Sequence, residues 1–417
     1  ASSLSLSHIN AVFKISTAGY RMKGFRTICL AVAAAALVFF AAGCSENTQL
    51  EQEPATFPAK PDVQKPEPVP APDEGARLRN GLELGLSFPP VDVEWKRALT
   101  LKHLNALNVR RIRFLDQWYY RERHKGKYIW EGYDLRMKWA EDNDLSVFLT
   151  IDNWLPDWAG NPNKNRKKVS VVSKDNLEQF RRYIAELLKR SPSALSRIQF
   201  GNEWQTPYGY PGTAEDFVRE NNIVYEETKR HSPDTLFVLG GFSIGVLRGL
   251  SVLDGRMDYV WRTQHADPSK KWTKITGPEL EQWKQSRMVK DFIKRFDYVM
   301  KHAKYDAIDI HLYDDVEKWP LYVDVVRKRF PGNTIIVSEF GGPNIFVKDY
   351  TPEYQASRLR EYIRMLDNLR IGEAYYHTLV THRGLGKAHR HSALLTENLE
   401  EKPAYKVFRA YSRLSRQ

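Results

Sequence analysis

Two glutamates close apolar, β-branched runs: Glu203 in RIQFGNEW (197–204) and Glu339 in TIIVSEF (334–340). A carboxylate at the end of a buried strand is costly unless a partner compensates it or chemistry uses it. One protonated and one ionised carboxyl could act together as acid and nucleophile on a single bond. Alone, either could equally be the ion-pair partner of an arginine. Other polar residues stand at similar strand ends. Asn202 precedes Glu203. His311 and Tyr313, two apart in AIDIHLY (307–313), point to one side of their strand. In VRRIRF (109–114), Arg111 and Arg113 share a face by the same period, so either could be the cation at that strand's end. His311 taken singly could be a satisfied strand-end histidine.

These residues need elements to hold them. From residue 79 the chain alternates β-branched runs with amphipathic helical stretches. Eight strands are expected, starting at Leu82, Val109, Leu145, Arg197, Thr235, Ala307, Thr334 and Glu373. Helices are expected between them, for example over Asp175–Arg190 and Pro352–Leu369. Eight strand–helix units imply an α/β fold, a closed (β/α)8 TIM barrel. A doubly wound open sheet is the rival, but the first strand lacks the glycine fingerprint of a dinucleotide binder. The surplus length falls mostly between Phe242 and Gln285, an insertion after strand five of the kind that often covers a site.

In such a barrel, chemistry sits at the C-terminal strand ends, and strands four and seven face one another. Glu203 and Glu339 can therefore flank one bond of a substrate, which is the equipment of glycoside hydrolysis. With GNEW ending strand four, IHLY strand six and SEFGG strand seven, the chain resembles the clan A retaining glycoside hydrolases, the superfamily containing families 5 and 39. The resemblance spans the barrel. It implies Glu203 as general acid/base, Glu339 as nucleophile, Asn202 as the partner of a sugar 2-hydroxyl, and Tyr313 and Arg113 as holders of the nucleophile. It also implies hydrolysis of a poly- or oligosaccharide by double displacement, with no cofactor. A transglycosylase would share every one of these residues, and a non-catalytic carbohydrate-binding protein would keep the cleft alone. Two positions depart from the pattern. IDNW (151–154) has no histidine after strand three, which sets the chain apart from family 5 proper, and strand eight offers Tyr376 and His377 where many relatives carry tryptophan. Aromatic residues crowd the strand ends, and of these Trp154 and Trp204 are expected to pack on sugar faces, with His311 and His377 also lining the site.

Cys29 and Cys44 are the only cysteines, both near the N-terminus, which excludes disulfides and thiol chemistry from the body. His377, His382, His389 and His391 match no zinc spacing, so no metal is expected. With Arg383 they read as rim residues for a polar or anionic substrate. Residues 1–21 precede the first methionine, Met22, and show no signal pattern. Lys23 and Arg26 then lead into an apolar run, Ile28–Ala42, too short to span a bilayer. The run ends in AAGCS, which resembles a bacterial lipobox, although Ala41 stands where leucine is usual. Residues 1–44 are thus expected to be upstream residues and a lipoprotein signal, with Cys44 lipidated and the protein anchored in the cell envelope. Residues 45–78 form a Pro-rich linker, with seven prolines between Pro54 and Pro72. Residues 79–417 are the catalytic domain. Of the net charge of +12, residues 1–44 carry +4 and 45–76 carry −5, leaving +13 on the rest. That balance fits an acidic glycan or an anionic surface as partner, although a solvated basic face has the same composition. No nucleic-acid partner is expected.

Overall fold

The computed structural model describes residues 78–163, 166–191, 193–206, 209–262, 273–313, 316–343, 348–381 and 391–414. Cys44, His382, Arg383 and His389 lie outside them. In chain order the strands are β1 Glu83–Ser87, β2 Arg111–Gln117, β3 Ser146–Asp152, β4 Gly160–Asn163, β5 Arg166–Val172, β6 Leu195–Phe200, β7 Leu236–Phe242, β8 Val260–Arg262, β9 Thr273–Ile275, β10 Ala307–Tyr313, β11 Thr334–Gly341 and β12 Glu373–Tyr376. Eight of them close a parallel barrel in the order β1-β2-β3-β6-β7-β10-β11-β12. This is the (β/α)8 barrel expected, and each expected strand lies within a few residues of its observed range.

The covering helices form where the spacing of apolar residues allows one buried face. Leu177–Lys189 turns Phe180, Tyr183, Ile184, Leu187 and Leu188 inward, the three-and-four spacing of an amphipathic helix. Pro352–Asn368 starts on proline, which needs no N–H partner at that position, and the Thr351 hydroxyl accepts from Tyr354 N at 3.0 Å. The insertion after the fifth barrel strand is largely regular. It contains the helix Ile244–Leu253, the antiparallel pair β8/β9 and the helix Gly277–Gln285, ahead of the helix Arg287–His302. A second insertion, the antiparallel hairpin β4/β5, follows β3. Its sequence offers only the short alternation of Val169 and Val171 with Lys168 and Ser170 to announce it.

Inside the barrel, side chains stack in layers. At the N-terminal end Arg111 pairs with Glu83 and lies 3.3 Å from Glu373, which Arg197 meets at 2.9 Å. Above them Phe148, Val238, Ala307, Ile336 and Tyr375 form an apolar plug. The polar residues of the C-terminal end rest on this plug.

Two register shifts aim that upper layer. Between Ile336 and Glu339, β11 runs three residues while β10 runs two, from Asp309 to His311. The extra residue rotates the strand so that Ser338 and Glu339 both reach the interior. Beside β10, β7 gains a residue at Gly240-Gly241. A Cβ on Gly241 would lie 2.1 Å from His311 Nε2, so only glycine leaves room for the imidazole.

Gly85 plays the same part in the plug, where a Cβ would meet Tyr375 Cδ1 at 2.5 Å. Gly85→Ala is expected to cost about 1–3 kcal/mol by overpacking. Denaturant unfolding measures this, and Tyr375→Leu in the same chain should recover part of the loss. Unchanged stability would contradict the layered packing.

Candidate active site

Arg113 organises the upper layer. It is fully buried, and each of its guanidinium nitrogens donates: Nε to Thr150 Oγ1 at 3.1 Å, Nη1 to Glu339 Oε1 at 2.6 Å and to Ser87 Oγ at 3.3 Å, and Nη2 to Asn202 Oδ1 at 2.8 Å. The rings of Phe88 and Phe148 lie 4.6 Å and 5.5 Å from it. Arg111, the alternative on the same strand face, belongs instead to the ion cluster at the far end of the barrel. Because a guanidinium only donates, it fixes the oxygen of Asn202 toward itself, and among the described residues Nδ2 has no intramolecular bond.

Glu339 Oε2 accepts from the Tyr313 hydroxyl. His311 Nδ1 lies 3.7 Å from that oxygen and 2.9 Å from Glu203 Oε1. The two carboxyl oxygens are therefore at most 6.6 Å apart, the sum of those two distances. Behind the ring, His311 Nε2 is 3.4 Å from Asp309 Oδ2 and 3.2 Å from Ser338 Oγ. The serine in turn donates to Asp309 through Oγ at 2.6 Å and through its backbone N at 2.9 Å.

Burial and charge push the two glutamates in opposite directions. Burial raises the Glu203 carboxyl and outweighs the lowering by the His311 hydrogen bond and charge; the negative charge of Glu339 adds a smaller raise. Burial would raise Glu339 as well, but the charges of His311, Arg113 and His377 and the Tyr313 hydrogen bond carry it well below the ordinary carboxylate range. For His311, burial opposes the charged ring, yet Glu339, Asp309 and the bonds to Asp309 and Glu203 move its pKa up to about 10. Burial and the adjacent Glu339 keep the Tyr313 phenol protonated, as a donor. The site thus holds one carboxyl whose proton is bound more tightly than usual beside one that ionises more readily.

Glu203 sits just beyond β6 with φ +49°, a left-handed conformation costing a side-chain-bearing residue about 1 kcal/mol or more. Its loop is clamped to hold it there. Arg295 donates to the carbonyls of Trp204, Tyr210 and Gly212 at 3.1, 3.2 and 2.5 Å, and Gln205 Nε2 to Gly241 O at 3.1 Å. A Cβ on Gly209 would lie 2.1 Å from Glu203 O, so the chain passes there only as glycine.

Trp204 requires a correction. Expected to touch a sugar, it is 0% exposed, with its ring 4.9 Å from Phe217 and 5.9 Å from Phe296. It anchors the Glu203 loop in the core, because the chain turns sharply at Glu203 and sends the next side chain inward. His311 and Arg113, also fully buried, meet the carboxylates rather than open space. His377 packs edge-on to Phe88 and Tyr313, at 6.0 and 6.3 Å between ring centres. Trp154, two residues past β3, is half-buried at the rim, stacked on Tyr119 at 5.2 Å. Asp309, Ser338, Arg295, Phe88, Ser87 and Thr150 were not foreseen. Only Asp309 left a signal, two residues before His311 and so on its face. Among the described residues no group of three or more His, Cys, Asp or Glu could hold a metal ion.

Residues 259–406 match the family model described as glycosyl hydrolase catalytic core, a span that includes His311, Tyr313 and Glu339 but not Glu203. No curated protein matches. A family 39 glycoside hydrolase from the gut symbiont Bacteroides cellulosilyticus WH2 is a structural neighbour at 15% identity and TM-score 0.54, over 80% of this chain and 64% of that one. An exo-beta-1,4-mannosidase from Opitutaceae bacterium strain TAV5 aligns at 14% identity and TM-score 0.53, over 79% and 59%. A GH5_18 from Bifidobacterium longum subsp. longum in complex with Manβ1-4GlcNAc aligns at 13% and 0.55, over 81% and 79%. The chain thus spans less than two thirds of the length of the first two. At these identities the likeness is one of fold.

The network around His311 predicts its titration. Nitrogen NMR of the ring should show both nitrogens protonated at pH 8, and Asp309→Asn, by removing an anion, should lower the midpoint. Since the folded pKa of the imidazole is raised, its contribution to stability is complete below pH 6.5 and is lost as pH rises toward about 10. A His311 midpoint at or below 6.5 would contradict the arrangement.

Proposed function

We propose that the protein is a retaining glycoside hydrolase. The observation that carries this reading is the pair of glutamates from opposite strands, oppositely shifted and bridged by one imidazole. Retaining enzymes hold their carboxyls about 5–5.5 Å apart and inverting ones about 6.5–9.5 Å; the limit of 6.6 Å between Glu203 Oε1 and Glu339 Oε2 is compatible with retention. The family match over 259–406 and the fold of the neighbours support a glycosidase; the mechanism rests on the geometry.

In this reading, ionised Glu339 attacks the anomeric carbon while Glu203 protonates the departing glycosidic oxygen. The bond to the leaving group breaks as the glycosyl–Glu339 ester forms. Esterification removes the negative charge that helped raise Glu203, so its pKa falls and it becomes the base that deprotonates the incoming water. Water then releases the sugar with its configuration retained. Arg113 and Tyr313 hold Glu339 ionised and oriented, and Asn202 Nδ2 is free to bond the sugar 2-hydroxyl. Trp154 offers an aromatic surface at the rim for a further sugar of a poly- or oligosaccharide. The reading extends to an exported protein, held at a bacterial envelope by lipid on Cys44.

Proton NMR of the first-formed product should show the anomeric configuration of the substrate; initial inversion would refute the proposal. Glu339→Gln should lower kcat about 10³-fold or more. Glu203→Ala should lose natural substrates by about 10²–10⁴-fold and keep those with an activated leaving group, which need little acid assistance. Equal loss on both would remove Glu203 from the acid role.

His311→Gln takes away a cation beside both carboxyls, so both pKa values rise. The pH profile of kcat/KM should then move to higher pH on its acid and alkaline limbs. Movement to lower pH would show that the imidazole is not cationic in the working enzyme.

A further inference from the structure

The turn that follows β2 and the short helix Trp118–Arg121 carries Arg123, His124, Lys125 and Lys127, all exposed. A backbone bridge between His124 and Lys127 and a left-handed Gly126, φ +80°, form the turn. Its one acid, Glu122, faces inward, 2% exposed, and accepts from Gly126 N at 2.6 Å and Trp118 Nε1 at 2.8 Å. That carboxylate stabilises the loop and leaves the cations outside. Arg121 is consumed by Asp116, 3.1 Å away. Arg123 and Lys125 instead lie over aromatic faces: Arg123 at 5.1 Å from Tyr119 and 5.7 Å from Tyr120, Lys125 at 5.5 Å from Trp158. Lys125 Nζ also donates to Asn176 Oδ1 at 3.2 Å, and no carboxylate among the described residues pairs with either cation.

This turn adjoins the rim of the catalytic cleft. Tyr119 N donates to Trp154 O at 3.1 Å, and Tyr119 stacks on the Trp154 ring, so the turn and the aromatic rim past β3 form one surface. β2 and β3 are consecutive in the barrel and β3 neighbours β6, which leads to Asn202 and Glu203. A glycan leaving the two glutamates along this side crosses an aromatic plane and then the exposed cations Arg123 and Lys125. Aromatic faces suit the C–H face of a sugar, and a guanidinium forks onto a carboxylate or sulfate.

We infer that Trp154, Arg123 and Lys125 form a distal subsite for an anionic sugar, which makes the substrate a carboxylated or sulfated polysaccharide. This rests on the glycosidase reading for the substrate's role, though not for its binding. The test is calorimetric affinity of the full-length protein, at about 0.15 M salt, for polygalacturonate and its carboxyl-reduced neutral form, and for dextran sulfate and dextran. At least one charged polymer should bind about tenfold tighter than its neutral counterpart, and which one assigns carboxylate or sulfate. The double variant Arg123→Gln/Lys125→Gln should lose about five- to tenfold on the charged polymer and nothing on the neutral one. Lys138→Gln/Lys189→Gln, exposed cations of the helices Glu131–Asp142 and Leu177–Lys189, is the control and should change neither. Equal weakening by the control, or equal affinity for charged and neutral glycans, overturns the inference. So does binding to phosphatidylglycerol vesicles that depends on Arg123 and Lys125 when glycan binding does not. Failure to hydrolyse any glycan, with charge-selective binding intact, would instead count against the glycosidase reading alone.

Discussion

Two carboxylates cannot share a buried pocket unless cations compensate them, and this barrel meets that constraint with Arg113 and the imidazolium of His311. The arginine bonds Glu339 directly and reaches Glu203 only by its charge; the histidine lies between both. That asymmetry makes the two glutamates chemically different. The guanidinium cannot lose its proton, so Glu339 stays ionised over a wide pH range. Glu203 has the shared imidazole and the more distant Arg113 charge against burial and a neighbouring negative charge, and burial keeps its proton longer.

The rest of the upper layer serves that arrangement. Asp309 and Ser338 hold the far side of the ring, and their position depends on the extra residue in β11. Gly241 makes the space the ring occupies, at the matching irregularity of β7. A regular barrel would send Glu339 outward from its strand, because successive side chains alternate. Irregular register at the strand ends, above a closely packed apolar plug, reconciles a stable barrel with an inward carboxylate.

Glu203 is held by different means. It belongs to a loop in an unfavourable backbone conformation, secured by Trp204 in the core and by the three carbonyl bonds of Arg295. Beyond these clamps the protein surface changes character. The turn after the helix Trp118–Arg121 combines aromatic rings with the exposed cations Arg123, Lys125 and Lys127, while its one acid, Glu122, is turned inward. This turn therefore sets a small cluster of cations beside the aromatic rim.

The amino-acid sequence by itself determined the barrel, the strand order and the residues at the strand ends, since alternation and amphipathic spacing act over short range. Glu203, Glu339, Asn202 and the His311–Tyr313 pair were legible for that reason: each closes an apolar run. Tertiary structure alone decided between Arg111 and Arg113, because both share a strand face and differ only in depth along the barrel. It alone turned Trp204 inward, through a backbone angle at Glu203 that no residue pattern announces. It also created the link from Asp309 through His311 to Glu203, since a register shift between neighbouring strands is a property of their pairing and is written in neither strand by itself.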